Sequence, residues 1–231
     1  FMRGVIGLLF HEFAGVVGLA ILVSASVSLT LVPLLADFLR QYPEVRIELD
    51  LSDRLASLAT EGFDLAIRHS ATAPDTHVAW TLCETQSVLV ATRAYLSRMG
   101  SPQQPQDLLG HNCLHYPRSQ DRPAWTLEKR DPAGQERVTV QISGSLAANN
   151  SEALRDAALA GLGIALLPDF SAQAGLQGGE LVRVLPDWTP VDSFAGQLHA
   201  IRPYSAHVPR AVSALVAFLR ERLAPGFGAG L

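Results

Sequence analysis

The chain has 231 residues, 48% of them apolar and 17% charged, with a formal net charge of −4. That length supports one large α/β domain or two lobes of about 100 residues each, with the composition of a compact soluble chain. The absence of any basic cluster argues against a nucleic-acid surface within these residues, and Cys83 and Cys113 stand without Cys/His partners at metal spacing, which argues against zinc.

Residues 1–14 are expected to be a linker or remnant. From Phe13 to Ala36 no charge occurs, long enough to span a bilayer. Gly15, Gly18, Ser24, Ser26, Ser28, Thr30 and Pro33 break that run, and a strand, turn and helix fit it better. Val16 to Ala25 reads as a strand buried on both faces. "SVSLTLVPLLADFLRQYP" then supplies a serine cap and an apolar helix that stops before Pro43.

"EVRIELDL" alternates as a half-exposed strand does, and "SDRLASLATEGF" reads as a helix capped by Ser52 and stopped by Gly62. "DLAIRHS" and "SVLVATR" are further strands. Residues 101–132 carry many prolines and polar residues, and read as loops and short elements over Leu114, Tyr116 and Trp125. "RVTVQISGSL", "ELVRVLPDW" and "QLHAIRP" are strands, and Val208 to Leu223 is an amphipathic helix before a frayed tail. Alternating strands and helices predict a mainly parallel sheet with helices on both faces. The order strand, cap, helix, glycine, strand occurs in both halves and suggests two similar lobes with a cleft between them.

In "NNSEALRDAALAGLGIALLPDF" the glycines come after the helix and before the strand. That is the reverse of a dinucleotide fingerprint, so Gly161 reads as a helix stop, and Gly163 lets the chain pass tightly into the strand. The chemistry belongs at the other end. Asn149, Asn150 and Ser151 sit where a helix begins, and ligands of open α/β sheets bind beside such helix starts. Ser26, Ser28 and Ser52 repeat the arrangement, although a plain cap worth about 1 kcal/mol explains each singly. Arg68 and His69 follow a strand whose end should face the same ligand, and helix starts with an arginine favour a small acid.

Catalytic signals are thin. No G-x-S-x-G elbow occurs, "HEFAG" is not H-E-x-x-H, and His111 and His115 lack a nearby carboxylate or metal spacing, so no enzyme, cofactor or metal is expected. A disulfide between Cys83 and Cys113 would need Cα atoms about 5.5–6 Å apart. Two buried thiols are the simpler expectation.

The stretches from "LAILVSASVSLTLVPLLADFLRQYPEVRIELDL" through "EGFDLAIR", "GHNCL" and "AGLGIALLPDF" to "VPRAVSALVAFLRERL" occur in an order that resembles the effector-binding domain of LysR-type transcriptional regulators. The resemblance implies an α/β fold of two Rossmann-like lobes with a central cleft, the type 2 periplasmic-binding-protein fold. Lobe I would comprise 15–92 plus 198–224 and lobe II 93–197, leaving 225–231 as a tail. It further implies a small-molecule effector bound between the lobes, with contacts from Ser26, Ser52 and Asn149 to Ser151. Other expectations are cytoplasmic location, no membrane partner, and a homodimer or homotetramer paired through the helix Leu29 to Arg40. DNA would be reached only through an N-terminal domain that these residues do not contain. A periplasmic solute-binding protein of the same fold is the alternative.

Overall fold

The computed structural model describes residues 17–23, 28–51, 62–70, 77–117, 122–131, 134–205 and 208–227. The elements are β1 (Val17–Val23), α1 (Ser28–Gln41), β2 (Val45–Leu51), β3 (Leu65–His69), β4 (His77–Glu84), β5 (Ser87–Ala91), α2 (Arg93–Met99), a 3₁₀ turn (Pro105–Gly110) and β6 (Cys113–Leu114). They continue with β7 (Ala124–Asp131), β8 (Gly134–Gln141), α3 (Ser151–Leu159), β9 (Ile164–Pro168), α4 (Asp169–Gln177), β10 (Val182–Arg183), β11 (Thr189–Val191), β12 (Gln197–Pro203) and α5 (Arg210–Leu223).

The described residues fall into two compact units. The first takes 17–68, 77–82 and 199–224, and the second 69–70, 83–198 and 225–227. The strand Ser87–Ala91, grouped with the first lobe in the sequence reading, pairs with β9 within the second unit.

In the first unit a five-stranded sheet runs β2-β1-β3-β12-β4, with β1 parallel to both β2 and β3. Leu19, Ile21, Leu22 and Val23 are all buried, so β1 is covered on both faces, as its unbroken apolar run requires. Leu31, Leu35 and Phe38 line one stripe of α1, and Phe38 meets Phe218 of α5 edge-on at 5.5 Å between ring centres. Pro33 sits in the second turn of α1, close to its start. The helix expected over 52–61 lies outside the described residues.

The second unit departs from the expectation of a mainly parallel sheet. Its four-stranded sheet, β10-β5-β9-β6, pairs β6 with β9 in parallel but β5 with β9 and β10 antiparallel. A second sheet, β11-β7-β8, is antiparallel throughout, because β7 and β8 are consecutive strands whose register closes at Asp131 opposite Gly134. Residues 101–132, read as loops and short elements, thus contain an eight-residue strand. Alternation explains the packing. Leu89, Ala91, Ile164 and Leu166 point to one side, where Trp125, Leu127 and Val140 cover them. Val88, Val90, Ala165 and Leu167 point to the other, onto Leu154, Ala158 and Ala172 of α3 and α4.

Candidate functional site

One end of the second unit gathers the polar groups. β6 and β9 run parallel, and their carboxyl ends lead into Tyr116 and Asp169. The helix starts of α3 and α4 lie side by side there, tied by the buried hydroxyls of Ser151 and Ser171 at 2.7 Å. Phe170, next in sequence to Ser171, meets the His69 ring edge-on at 5.1 Å. The first turn of α4 therefore brings His69 and Ser151 to one place.

These residues divide by what their side chains already do. Asn150 caps α3, its Oδ1 accepting from the amides of Glu152 at 2.8 Å and Ala153 at 3.1 Å. Ser151 is fully buried. Asn149 is exposed. The His69 Nε2 lies 2.8 Å from the Thr85 hydroxyl, which lies 3.0 Å from the Ala195 carbonyl oxygen. A carbonyl can only accept, so Thr85 spends its hydrogen there and accepts from His69, which places a proton on Nε2. Arg68 is half-buried at the end of β3. Ser28 opens α1, while Ser26 and Ser52 lie outside the described residues.

Sequence reasoning missed Asp169. It is buried at the start of α4, with Oδ2 accepting from Gln86 N at 2.9 Å and Oδ1 from Phe170 N at 2.8 Å. Burial pushes its carboxyl up to about 6, against the pull of those amide hydrogen bonds. Thr85, Phe170 and Phe194 were missed as well. No spacing in the sequence distinguishes them from ordinary packing residues.

The remaining candidates are structural. Asn112 N donates to Tyr95 Oη at 3.0 Å, and the Tyr95 hydroxyl shares a further hydrogen bond with His111 Nδ1 at 3.2 Å. Burial lowers the His111 pKa, in keeping with a neutral ring. The Asn112 side chain donates to Ser145 Oγ and the Leu162 carbonyl and accepts from Ser145 N, all within 2.9 Å. Gly163 passes so close that an added Cβ would lie 2.2 Å from the Asn112 carbonyl oxygen, while Gly161 takes the left-handed φ of 73° beyond the α3 stop. Cys83 and Cys113 are free and buried, and burial pushes both thiols up to about 12, Cys83 with help from Asp169. Among the described residues no cluster of His, Cys, Asp and Glu could hold a metal, and no helix is long and apolar enough to cross a membrane.

The first unit carries a shallow recess of about 290 Å³ beside Gly18, Ala20, Arg46, Glu48 and Asp64. Asp64 accepts there from Ala20 N at 2.8 Å. The recess flanks the amino-terminal halves of β1 and β2, the end of a parallel sheet opposite to where ligands usually bind.

Both units are of the α/β class, and in the second the α3 start, capped by Asn150, lies beside the α4 start at the carboxyl end of β9. Residues 11–224 match the LysR substrate binding domain, and the chain belongs to that family. It is 34% identical over 199 residues to the probable HTH-type transcriptional regulator LtrA of Klebsiella pneumoniae, across 86% of this chain and 62% of that protein. To the HTH-type transcriptional regulator PtxR of Pseudomonas aeruginosa it is 35% identical over 193 residues, across 81% of this chain and 58% of that one. The chain thus spans about six-tenths of the length of these curated relatives. Among solved structures, the regulatory domain of CrgA, a LysR-type regulator from Neisseria meningitidis, superposes with a TM-score of 0.76 at 27% identity, covering 89% of this chain and 98% of that one. The CrgA structure from the same organism gives 0.79 at 27% identity, covering 94% and 71%. The fold is therefore the two-lobed, periplasmic-binding-protein-like fold of these regulatory domains. Relatives that are regulators of transcription do not favour the solute-binding alternative.

Proposed function

We propose that this chain is the effector-binding regulatory domain of a LysR-type transcriptional regulator. It takes a small molecule at the carboxyl ends of its strands and catalyses no reaction. The observation that carries this reading is the convergence of His69 and the α3 start on the first turn of α4, within a chain whose relatives regulate transcription. His69 and the exposed Asn149 touch the ligand. Asn150 and Ser151 hold the helix start in place, since both side chains already have partners in the protein. Ser26, Ser28, Ser52 and Arg68 are further contacts of the same proposal.

The effector binds one conformation of the domain better than another and shifts the population toward it. In the parent protein this shift alters DNA binding by a separate N-terminal domain. The parent is a cytoplasmic homo-oligomer paired through α1, whose Val32 is an apolar side chain 46% exposed.

The test is thermal-shift and native-mass measurement of the 231-residue chain against a library of soluble metabolites. A ligand bound at one per chain, and weakened at least tenfold by Asn149→Ala or His69→Ala, is the expected result. Failure of every compound to bind, or binding indifferent to both substitutions, overturns the reading.

A further inference from the structure

Four ring contacts run in series through the second unit. Phe227 meets Phe170 at 5.6 Å between centroids, Phe170 meets His69 at 5.1 Å, His69 stacks on Phe194 at 6.2 Å, and Tyr116 meets Phe194 edge-on at 5.1 Å. The row changes character along its length. Phe170 and Phe227 are 5% and 4% exposed, as core rings are, whereas His69, Phe194 and Tyr116 are each half-buried. Packing alone explains the inner pair. The outer three keep part of their surface open at the end of the unit where the α3 and α4 starts meet.

The geometry of the outer rings is particular. His69 and Phe194 are near parallel, with 24° between their planes, and Tyr116 stands at 86° to Phe194. The Thr85 hydroxyl, itself anchored on Ala195, limits rotation of the imidazole. Rings favour offset stacks and edge-to-face contacts because each has a negative face and a positive edge. A further flat ring extends such an arrangement, while a saturated ring of the same size gains area alone. Polar recognition is at hand, because Ala148 N donates to the His115 carbonyl at 3.1 Å and so joins the segment that leads into Asn149 to the one that leads into Tyr116.

We infer that the ligand taken at this end carries a flat aromatic ring, packed against His69, Phe194 and Tyr116, with its polar substituent toward Asn149. The inference rests on the effector-binding reading and adds the chemical class of the ligand to it.

The experiment uses matched probes that differ in ring character. These are benzoate against cyclohexanecarboxylate, phenylacetate against cyclohexylacetate, and benzamide against cyclohexanecarboxamide, each titrated into the 231-residue chain by calorimetry. The aromatic member of at least one pair should bind about tenfold more tightly. Phe194→Leu, which keeps an apolar side chain without the ring, should bring that pair within about twofold. Tyr116→Leu serves the same purpose should the first variant fail to fold. Equal affinities within every pair, a preference that survives both variants, or tighter binding of choline than of any ring acid overturns the aromatic class. So does the absence of ring binding in a chain that binds a non-ring metabolite from the library, and that result leaves the effector reading standing. Only a chain that binds nothing at all overturns both.

Discussion

Replacing Asp169 by asparagine should flatten the dependence of stability on pH. Asp169 is 2% exposed, and its carboxyl rises from the ordinary 3.8 to about 6 because burial disfavours the charged form. The folded chain therefore holds this proton at pH values where the unfolded chain has released it. Stability contributed by the group is full below about pH 4, declines as pH rises toward 6, and stays low above that. Two pKa units correspond to about 2–3 kcal/mol across the window. Urea unfolding at 25 °C, run in half-unit steps from pH 4 to pH 7, would read this as a falling midpoint. Other carboxylates add their own slopes, Asp107 in the opposite sense because the amides of Gln103 and Gln104 lower its pKa. The informative quantity is therefore the difference between the parent chain and Asp169→Asn. The asparagine amide cannot accept from both Gln86 N and Phe170 N, so the variant is the less stable of the two at low pH. That offset narrows as pH rises. Parallel curves over the whole range would show that Asp169 titrates normally and would refute the argument.

Gly163→Ala should cost more than about 2 kcal/mol in urea midpoint, because its Cβ would lie 2.2 Å from a backbone oxygen that cannot swing aside. Leu162→Ala, on an exposed neighbour, should change stability by less than about 0.5 kcal/mol. Asn150→Ala should lose about 1 kcal/mol by uncapping α3, with the loss read from the same urea curves. A thiol reagent should label neither Cys83 nor Cys113 at neutral pH until denaturant is added; rapid labelling of either in the native chain would contradict thiols pushed up to about 12.

Elements with a strong internal signal are legible in the sequence itself. β12 spans the residues of "QLHAIRP", β1 lies within the apolar run from Val16 to Ala25, and α5 occupies all but the first two residues of its expected segment. The reversed order of helix and glycine exposes Gly161 as a stop, which its φ of 73° fits. What escapes is what depends on partners far along the chain. β4 was overlooked although Val78, Trp80 and Leu82 alternate along it, and β7 is hidden because its alternation is masked by Glu128, Lys129 and Arg130. α4 escapes because it is buried on most sides and short, leaving little amphipathic contrast, and its start at Asp169 follows directly on a strand. At the candidate site, Asn150 and Ser151 are visible as cap residues, but their existing partners are not. Ser171 lies 20 residues from Ser151, and Thr85 lies 16 from His69. Such pairings are decided by the fold, and no local spacing announces them.

The Asn112 staple bears on how this domain could change over generations. One side chain answers to Ser145 and to Leu162, while the same residue's backbone answers to Tyr95 and Ile164. A substitution at Asn112 removes three side-chain hydrogen bonds at once, and no single second substitution replaces all of them. Drift is therefore slow at this corner, because the paths away from it need several coordinated steps. The half-buried rings of His69, Phe194 and Tyr116 stand outside this staple. A lineage can exchange them one at a time, and so acquire a taste for a different molecule while the frame that reads it is inherited intact.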